Sequence, residues 1–334
     1  LEQSISTYLG ASHVLAASNG TATLHLALVA LGIGSGDEVI VPALSYIATA
    51  NVVELVGATP IFVDVDPRTF NIDVSLIQAA VTPRTKAIIP VHEFGLPCDI
   101  AKICELAASL GLSIIEDAAC ALGGKDGEKY AGTFGHFGSF SLHPRKAITS
   151  GEGGLLVCAD SALAGKISIL RNHGVKMENG KITFQEAGFN YRLTEMQAAL
   201  VHSQFQRMEY ILTKKQELAD IYHEEIKSPA LLLPIVPEGK THTWQTFHVL
   251  VDPSIDRDSL ILKLRENGIG TNYGAQCMPD QAFYKRKYDL DSASLFPHAI
   301  VAYHHGLALP LYEKLSAAQV RHIATTINNL TSRP

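Results

Sequence analysis

Short apolar segments alternate with helical segments from Val14 to Cys158, and this alternation restricts the possible folds more than any other feature of the chain. The apolar segments are rich in β-branched residues, as in EVIVPAL, PIFVDVD, KAIIPVH and LSIIEDA, and between them lie segments such as ATLHLALVALG with a 3.6-residue apolar period. This pattern predicts an α/β fold with a mostly parallel central sheet and helices on both faces. Ligands of such sheets bind at the carboxyl ends of the strands, so we expect a site there.

The second part of the chain does not continue the alternation of strands and helices. Residues 194–226 have a continuous helical pattern, with Thr194 as a candidate N-cap and Gln197 at capping-box spacing. We expect one long helix that bridges two domains. Beyond it, after two prolines, strands and helices of a smaller α+β unit follow. The sequence therefore predicts a large domain of residues 1–226 and a small C-terminal domain of residues 227–334.

The composition excludes several classes of function. A net charge of −6 argues against a nucleic-acid-binding surface, and no apolar run reaches the roughly 18 residues that a membrane span needs. The five cysteines form no CxxC motif and none lies at zinc-ligand spacing from a histidine, so we expect no metal site and reduced thiols in a cytoplasmic protein. The chain begins LEQSISTYLG without methionine, so we expect that part of the native N-terminus is missing.

Lys146 lies in the stretch SFSLHPRKAITSGEGG, between the end of a predicted strand and a glycine cluster. Most lysines in loops are solvated. A lysine at a strand end also serves as a Schiff-base residue when its amine is desolvated and positioned beside a cofactor. This stretch alone does not decide between the two interpretations.

The turn Ser18-Asn19-Gly20-Thr21 lies between the first predicted strand and the first predicted helix. Gly20 allows close approach of the backbone, and free N–H groups at a helix start bind phosphate. Asn and Thr are also ordinary N-cap residues, and taken alone the turn favours that interpretation.

Glu116 and Asp117 end the strand of LSIIEDA. Because side chains alternate along a strand, the two carboxylates point in opposite directions and one of them faces the ligand crevice. There it would stabilise a protonated pyridine nitrogen, although helix capping is an equally good interpretation of an aspartate at this place. Tyr46 follows another strand at the same edge and could stack on a flat ring, although aromatic residues in such positions are more often core.

Together these features place a phosphate-binding turn, a stacking aromatic residue, an acid and a lysine at the strand ends of one α/β sheet. This combination predicts a site for pyridoxal 5'-phosphate.

The sequence also resembles the DegT/DnrJ/EryC1/StrS family of sugar aminotransferases, whose members have the type I fold of pyridoxal-phosphate enzymes. The resemblance covers nearly the whole chain in the family's order and includes EDAACALGG and SLHPRKAITSGEGG. The matching segments are residues 18–50, 57–73, 82–99, 112–124, 132–154, 170–174 and 188–200.

The resemblance implies a role for each matched position. Lys146 would bind the cofactor as an aldimine and then shuttle a proton, and Asp117 would pair with the pyridine nitrogen. Other residues would contact the ring or the phosphate: Tyr46 stacking on the ring, and Gly20, Thr21 and Ser141 binding the phosphate. Asn190 of GFNYR resembles an asparagine that reaches the phosphate of a neighbouring subunit, which implies a homodimer with shared active sites.

One position departs from the family's pattern. Three residues after Asp117, where many members have glutamine or histidine bonded to the ring hydroxyl, this chain has Cys120, a weaker hydrogen-bonding group. Either the cofactor is tuned differently here or the contact comes from elsewhere.

The resemblance implies transamination, with pyridoxamine phosphate as the intermediate form. L-Glutamate would donate the amino group and a keto carbon of a nucleotide-linked deoxy sugar would accept it; ITSGEGG favours C4. One alternative that the resemblance implies is a sugar dehydratase, a type of family member in which histidine replaces the lysine. Another is a non-catalytic regulatory or binding protein, since fold alone does not define function. Lys146 and Asp117 argue against both.

Overall fold

The computed structural model describes residues 1–332, and a seven-stranded sheet lies at its centre in the order β1-β10-β9-β6-β5-β2-β4. Strands β4, β2, β5, β6 and β9 are parallel, while at one edge β10 pairs antiparallel with β9 and β1 pairs antiparallel with β10. The predicted mostly parallel α/β sheet is therefore confirmed. The strands in this half of the chain are β1 (His13–Ala17), β2 (Glu38–Pro42), β3 (Leu44–Ser45), β4 (Thr59–Val63), β5 (Thr85–Ile88), β6 (Ser113–Asp117), β7 (Lys125–Asp126), β8 (Lys129–Tyr130), β9 (Phe137–Ser141) and β10 (Gly154–Cys158).

Both faces of the sheet are buried, which explains why its strands have continuous apolar sequences. In β2, Val39 and Val41 pack in one hydrophobic cluster, while Ile40 between them packs in another cluster on the opposite face. Helices cover these faces: α1 (Glu2–Leu9), α2 (Gly20–Ala30), α3 (Ala48–Leu55), α4 (Val74–Ala80), α5 (Ile100–Leu110) and α6 (Ser161–Leu170).

The predicted single bridging helix of residues 194–226 is wrong in one respect, because the structure divides it into α7 (Glu195–Phe205) and α8 (Met208–Glu225). The capping box of Thr194 and Gln197 is present at the start of α7. No proline marks the break, and the helical pattern continues through it in the sequence. An exposed hairpin that the sequence did not predict, β11 (Val175–Glu178) and β12 (Lys181–Phe184), precedes these helices.

The C-terminal part contains a second core. Strands β13, β15 and β17 form an antiparallel sheet, and its hydrophobic cluster includes Trp244 and Phe247 together with Leu218 and Tyr222 of α8. The elements here are β13 (Leu231–Leu232), β14 (Lys240–Thr241), β15 (Phe247–Val251), β16 (Gln276–Cys277), β17 (Gly306–Leu309), α9 (Arg257–Glu266), α10 (Ala282–Tyr288), α11 (Ser292–Leu295), α12 (Pro297–His305) and α13 (Ala317–Thr331).

This C-terminal part also pairs with the first half of the chain, through β14 with β7 and β16 with β3. The division into domains at residue 226 stays a prediction, and Arg333 and Pro334 of the predicted second domain lie outside the described residues. Residues 269–273 form no strand and make one isolated bridge, between Asn272 and Ala308.

Within residues 1–332, no helix combines the length and the apolar character needed to cross a membrane. The part of the chain that the structure describes also contains no cluster of three or more His, Cys, Asp or Glu side chains able to hold a metal ion. All five cysteines are free thiols. The cytoplasmic location expected from the cysteines stays a prediction.

Candidate active site

Several predicted site residues lie at one edge of the central sheet, where its parallel strands end. Asp117 is the last residue of β6 and Ser141 is the last residue of β9. The turn that contains Gly20 follows β1, which runs in the same direction as β9 because both are antiparallel to β10. The alternation in the sequence therefore predicts correctly where these residues meet.

Lys146 lies in the loop that follows β9, where its side chain is half-buried. Its Nζ atom lies 3.0 Å from Sγ of Cys120, in the turn after β6. Two backbone hydrogen bonds hold this loop, from the N–H of Leu142 to the oxygen of Gly153 and from the N–H of Ser150 to the oxygen of Leu142. The lysine thus crosses from β9 towards the end of β6, which does not fit a solvated loop residue.

Asp117 is buried, and its two carboxylate oxygens have different partners. The hydroxyl of Thr49 on α3 donates to Oδ2 at 2.8 Å, and the backbone N–H of Ala119 donates to Oδ1 at 3.2 Å. Since Thr49 lies on helix α3 and Asp117 on strand β6, tertiary packing sets the orientation of this carboxylate as well as the strand itself.

Glu116, the neighbouring carboxylate, points to the other side of the sheet, as the strand period requires. It accepts hydrogen bonds from the backbone N–H groups of Gly132, Phe134 and Gly135, and it lies 3.0 Å from Nε2 of His92. A carboxylate with this many donors is fully used in the structure, which leaves Asp117 as the acid that faces the site.

The turn before α2 combines both interpretations that the sequence left open. The Oδ1 atom of Asn19 caps α2 by accepting from the N–H of Ala22 at 2.7 Å. A Cβ atom on Gly20 would lie 3.1 Å from Cβ of Ser141, so a side chain at this position would be tightly packed against the end of β9. Among residues 1–332, the backbone N–H groups of Gly20 and Thr21 have no hydrogen-bond partner, and Thr21 is exposed. This helix start is therefore available to an anion.

Tyr46 and Asn190 are both exposed. Tyr46 follows β3 and leaves 60% of its surface accessible, so it is not a core residue. Asn190 forms a backbone bridge with Asn172, and across residues 1–332 no hydrogen bond joins its side chain to any other site residue. The structure thus brings Gly20 close to Ser141 and Lys146 close to Cys120, while within residues 1–332 the Asn190 side chain is hydrogen bonded to none of these four.

The sequence analysis missed Glu93, which lies in a single 3-10 turn (Glu93–Gly95) shortly after β5. Its side chain is 6% exposed, and its Oε2 atom has no hydrogen-bond partner in the described part of the chain. Burial raises the pKa of this carboxyl to about 8, and the nearby charge of Asp117 acts in the same direction. The available signal was an acidic residue at the end of the predicted strand KAIIPVH, on the edge where a site was already expected.

The ionisable groups of the site influence one another. Burial lowers the pKa of the Lys146 ammonium, but Cys120, Asp117 and Glu93 have the opposite effect and the net pKa is raised. Burial raises the pKa of Asp117, and its hydrogen bonds and Lys146 offset this only in part. Burial likewise raises the pKa of the Cys120 thiol. In the cofactor-free protein the lysine is therefore an ammonium ion among acidic groups that resist ionisation.

Comparison with known proteins agrees with this arrangement. The DegT/DnrJ/EryC1/StrS aminotransferase family matches residues 1–328 of the chain. GDP-perosamine synthase of Caulobacter vibrioides is 46% identical over 225 residues, which are 67% of this chain and only 60% of that protein. GDP-perosamine synthase of Escherichia coli O157:H7 is 40% identical over 320 residues, which are 94% of this chain and 85% of that protein.

Among solved structures, a protein of Streptococcus pneumoniae that is assigned as a sugar aminotransferase resembles this chain in its PLP form. The TM-score is 0.92 at 27% sequence identity, and the match covers 99% of this chain and 90% of that chain. The fold of this chain is thus that of a pyridoxal-phosphate protein over the whole match.

Proposed function

Because the chain belongs to the DegT/DnrJ/EryC1/StrS aminotransferase family, we propose that it transfers an amino group from L-glutamate to the C4 keto carbon of a nucleotide-linked deoxy sugar. One observation carries the chemistry: a half-buried lysine and a buried aspartate lie at the edge of the sheet where α2 offers free N–H groups. The two GDP-perosamine synthases support a nucleotide-linked amino sugar as product. The choice of C4 rests on the segment ITSGEGG.

The cofactor is pyridoxal 5'-phosphate, and the residues at the sheet edge suit it. Gly20 and Thr21 have unbonded N–H groups for a phosphate, and a side chain at Gly20 would close the space beside Ser141. Asp117 is an acid for a ring nitrogen, and Lys146 is an amine for covalent attachment of an aldehyde. When bound, pyridoxal phosphate supplies an electron sink for charge that develops on the substrate carbon.

The protein's own groups then have separate tasks. Lys146 accepts a proton at Nζ from the donor amino acid and later returns one to the amino sugar. Asp117 holds a proton at the ring nitrogen through its carboxylate, whose direction Thr49 sets by hydrogen bonding. The exposed ring of Tyr46 offers a flat surface for stacking.

The assembly that we propose is a homodimer in which Asn190 serves the partner's active site. Two features support it. Asn190 is exposed and its side chain makes no hydrogen bond with the described site residues of its own chain, and the nearby hairpin β11–β12 exposes apolar side chains. These are Met177, Ile182 and Phe184, each more than 60% exposed. Exposed apolar groups in one segment are typical of surfaces that another protein covers.

Mixing inactive variants tests this shared site. We expect Lys146→Ala and Asn190→Ala proteins to recover activity when they are unfolded together and refolded, because half of the dimers then contain one intact site. The expected recovery is about a quarter of the wild-type activity. A mixture that is no more active than its two components would contradict a shared site.

The activity is tested with the protein loaded with pyridoxal phosphate, glutamate carrying an isotope-labelled amino nitrogen, and a panel of nucleotide-linked 4-keto and 3-keto sugars. We expect mass spectrometry to detect the labelled nitrogen in a sugar product, with 4-keto sugars preferred. Loss of water without gain of nitrogen would indicate the dehydratase. Binding of sugars without conversion would indicate the binding protein.

A further inference from the structure

Glu93 stands out because a buried carboxyl oxygen ordinarily has a hydrogen-bond partner. Its backbone N–H donates to Oδ1 of Asn71 at 2.8 Å, which fixes the residue, while Oε2 of the side chain is buried and unpartnered among the described residues. Burying a polar group without a partner costs free energy of folding. A ligand that binds there and supplies the missing partner offsets that cost.

The surroundings of Glu93 belong to the cofactor site. The Ser45 hydroxyl is near enough to the Glu93 carboxyl to lower its pKa, and it lies 3.3 Å from the hydroxyl of Thr49, which donates to Asp117. Lys146 and Asp117 are the main charged neighbours of Glu93, and the charge of Glu93 raises the pKa of the Cys120 thiol. The unpartnered oxygen thus lies among the groups that we assign to the cofactor.

Other ionisable groups lie near Glu93 on the side away from Lys146 and Asp117. A small cavity next to it is lined by Arg68, His242 and His248, and the ring of His248 stacks on Phe94 at 4.2 Å. Burial lowers the pKa of both histidines to about 3, so they are neutral at physiological pH. Lys215 of α8 is also buried and interacts with His242 and Cys120, and burial lowers its pKa to about 8. Near neutral pH the groups here that change charge are therefore Glu93 and Lys215, and a substitution of Glu93 is needed to separate them.

Cys120 is a weak hydrogen-bonding partner for a bound cofactor, so a stronger donor could act in its place. Its Sγ atom lies 3.0 Å from Nζ of Lys146, and a thiol is a weak hydrogen-bond donor. A neutral carboxylic acid is a stronger donor and has one O–H group to offer. Since the Oε2 atom of Glu93 has no other partner, it is free to make such a bond.

We propose that Glu93 contacts the cofactor, its protonated carboxyl donating a hydrogen bond to bound pyridoxal phosphate that Cys120 makes only weakly. This inference rests on the proposed function, because it requires pyridoxal phosphate to bind beside Lys146. Glu93 binds the cofactor as an acid, and the contact weakens when the carboxyl ionises.

The test measures binding of pyridoxal phosphate itself by equilibrium dialysis, in wild type, Glu93→Gln and Glu93→Leu. Glutamine keeps the shape and a donor, whereas leucine keeps the volume and removes the donor. At about pH 6 we expect Glu93→Gln to bind within about threefold of wild type and Glu93→Leu to bind about tenfold more weakly. At about pH 10 we expect wild type to weaken more than Glu93→Gln, because only wild type ionises at this position. Both proteins share the pH dependence of Lys146 and of Lys215, so the difference between them reports Glu93.

A second comparison isolates the compensation for Cys120. Cys120→Gln supplies a donor at the position where the family has one, so the loss caused by Glu93→Leu is expected to shrink to about threefold or less in the double variant. Melting of the cofactor-free proteins reports folding separately. Because the native pKa of Glu93 lies above its unfolded value, wild type loses stability relative to Glu93→Gln as the pH rises from about 4.5 to about 8.

Three results would overturn the proposal. The first is wild-type affinity in Glu93→Leu, the second is equal weakening in Glu93→Gln and Glu93→Leu, and the third is an unchanged loss in the Cys120→Gln background. If wild type itself does not bind pyridoxal phosphate, the proposed function fails as well, so the two failures are distinguishable.

Discussion

Replacement of Lys146 by alanine is expected to lower the rate of amino transfer by on the order of 10⁴-fold or more, and to remove the visible absorbance band of the loaded protein. The expected loss is large because one side chain both holds the cofactor and moves the proton. The Nζ atom lies 3.0 Å from Cys120 and among the buried acids of the site. No second lysine is bonded to Asp117 or Cys120 among residues 1–332.

The measurement is the rate at which the loaded protein consumes L-glutamate in a single turnover, monitored through its absorbance spectrum. Lys146→Arg keeps the positive charge but cannot exchange a proton near neutral pH, so it is expected to be as inactive as Lys146→Ala. Lys102→Ala is the control, because Lys102 is exposed on α5, where it pairs with Asp99. A Lys146→Ala protein that keeps more than about a tenth of the wild-type rate would show that another group moves the proton.

Replacement of Asp117 by asparagine is expected to lower the rate of the same half-reaction by about 10² to 10³-fold, because the negative partner of the ring nitrogen is lost. The change keeps the volume and leaves an oxygen for the hydroxyl of Thr49. Burial raises the pKa of Asp117, so its ionised form is costly in the folded protein. A neutral asparagine removes that cost, and we expect the melting temperature of the cofactor-free variant not to fall at neutral pH.

Three further variants show whether the loss of rate in Asp117→Asn comes from the lost negative charge. Asp117→Glu keeps the charge at a changed distance and is expected to lie between wild type and Asp117→Asn. Thr49→Val leaves the carboxylate but removes the donor to its Oδ2 atom, so a smaller loss is expected. Asp220→Asn, at an exposed position of α8 where the carboxylate accepts from Gln216, is the control. An Asp117→Asn protein that melts as wild type and turns over at the wild-type rate would contradict the assigned role.

Much of the site could be predicted from local sequence patterns. The strand period places Glu116 and Asp117 on opposite sides, and the structure has Glu116 bonded to three backbone N–H groups and Asp117 bonded to Thr49. The direction of the parallel strands places Asp117, Ser141 and the turn at Gly20 on one edge. These features depend on period and chain direction, which neighbouring residues largely determine.

Other features escaped prediction because they depend on residues distant in the chain. The break between α7 and α8 has no proline to mark it, and Met208 at the start of α8 packs in the same cluster as Ile5 of α1. The bonding of Lys146 to Cys120 joins two loops that are 26 residues apart. Neither contact changes the local sequence pattern.

The sequence by itself thus determined the α/β fold and the edge of the sheet at which we propose the site, with Lys146 and Asp117 as its proposed lysine and acid. Only the tertiary structure decided that Glu93 is a buried acid whose Oε2 atom has no partner among residues 1–332, because its burial and its neighbours come from separate segments around β3, β6 and β9. The physical reason is that local conformation follows from neighbouring residues, whereas desolvation and pKa depend on every segment that packs around a group.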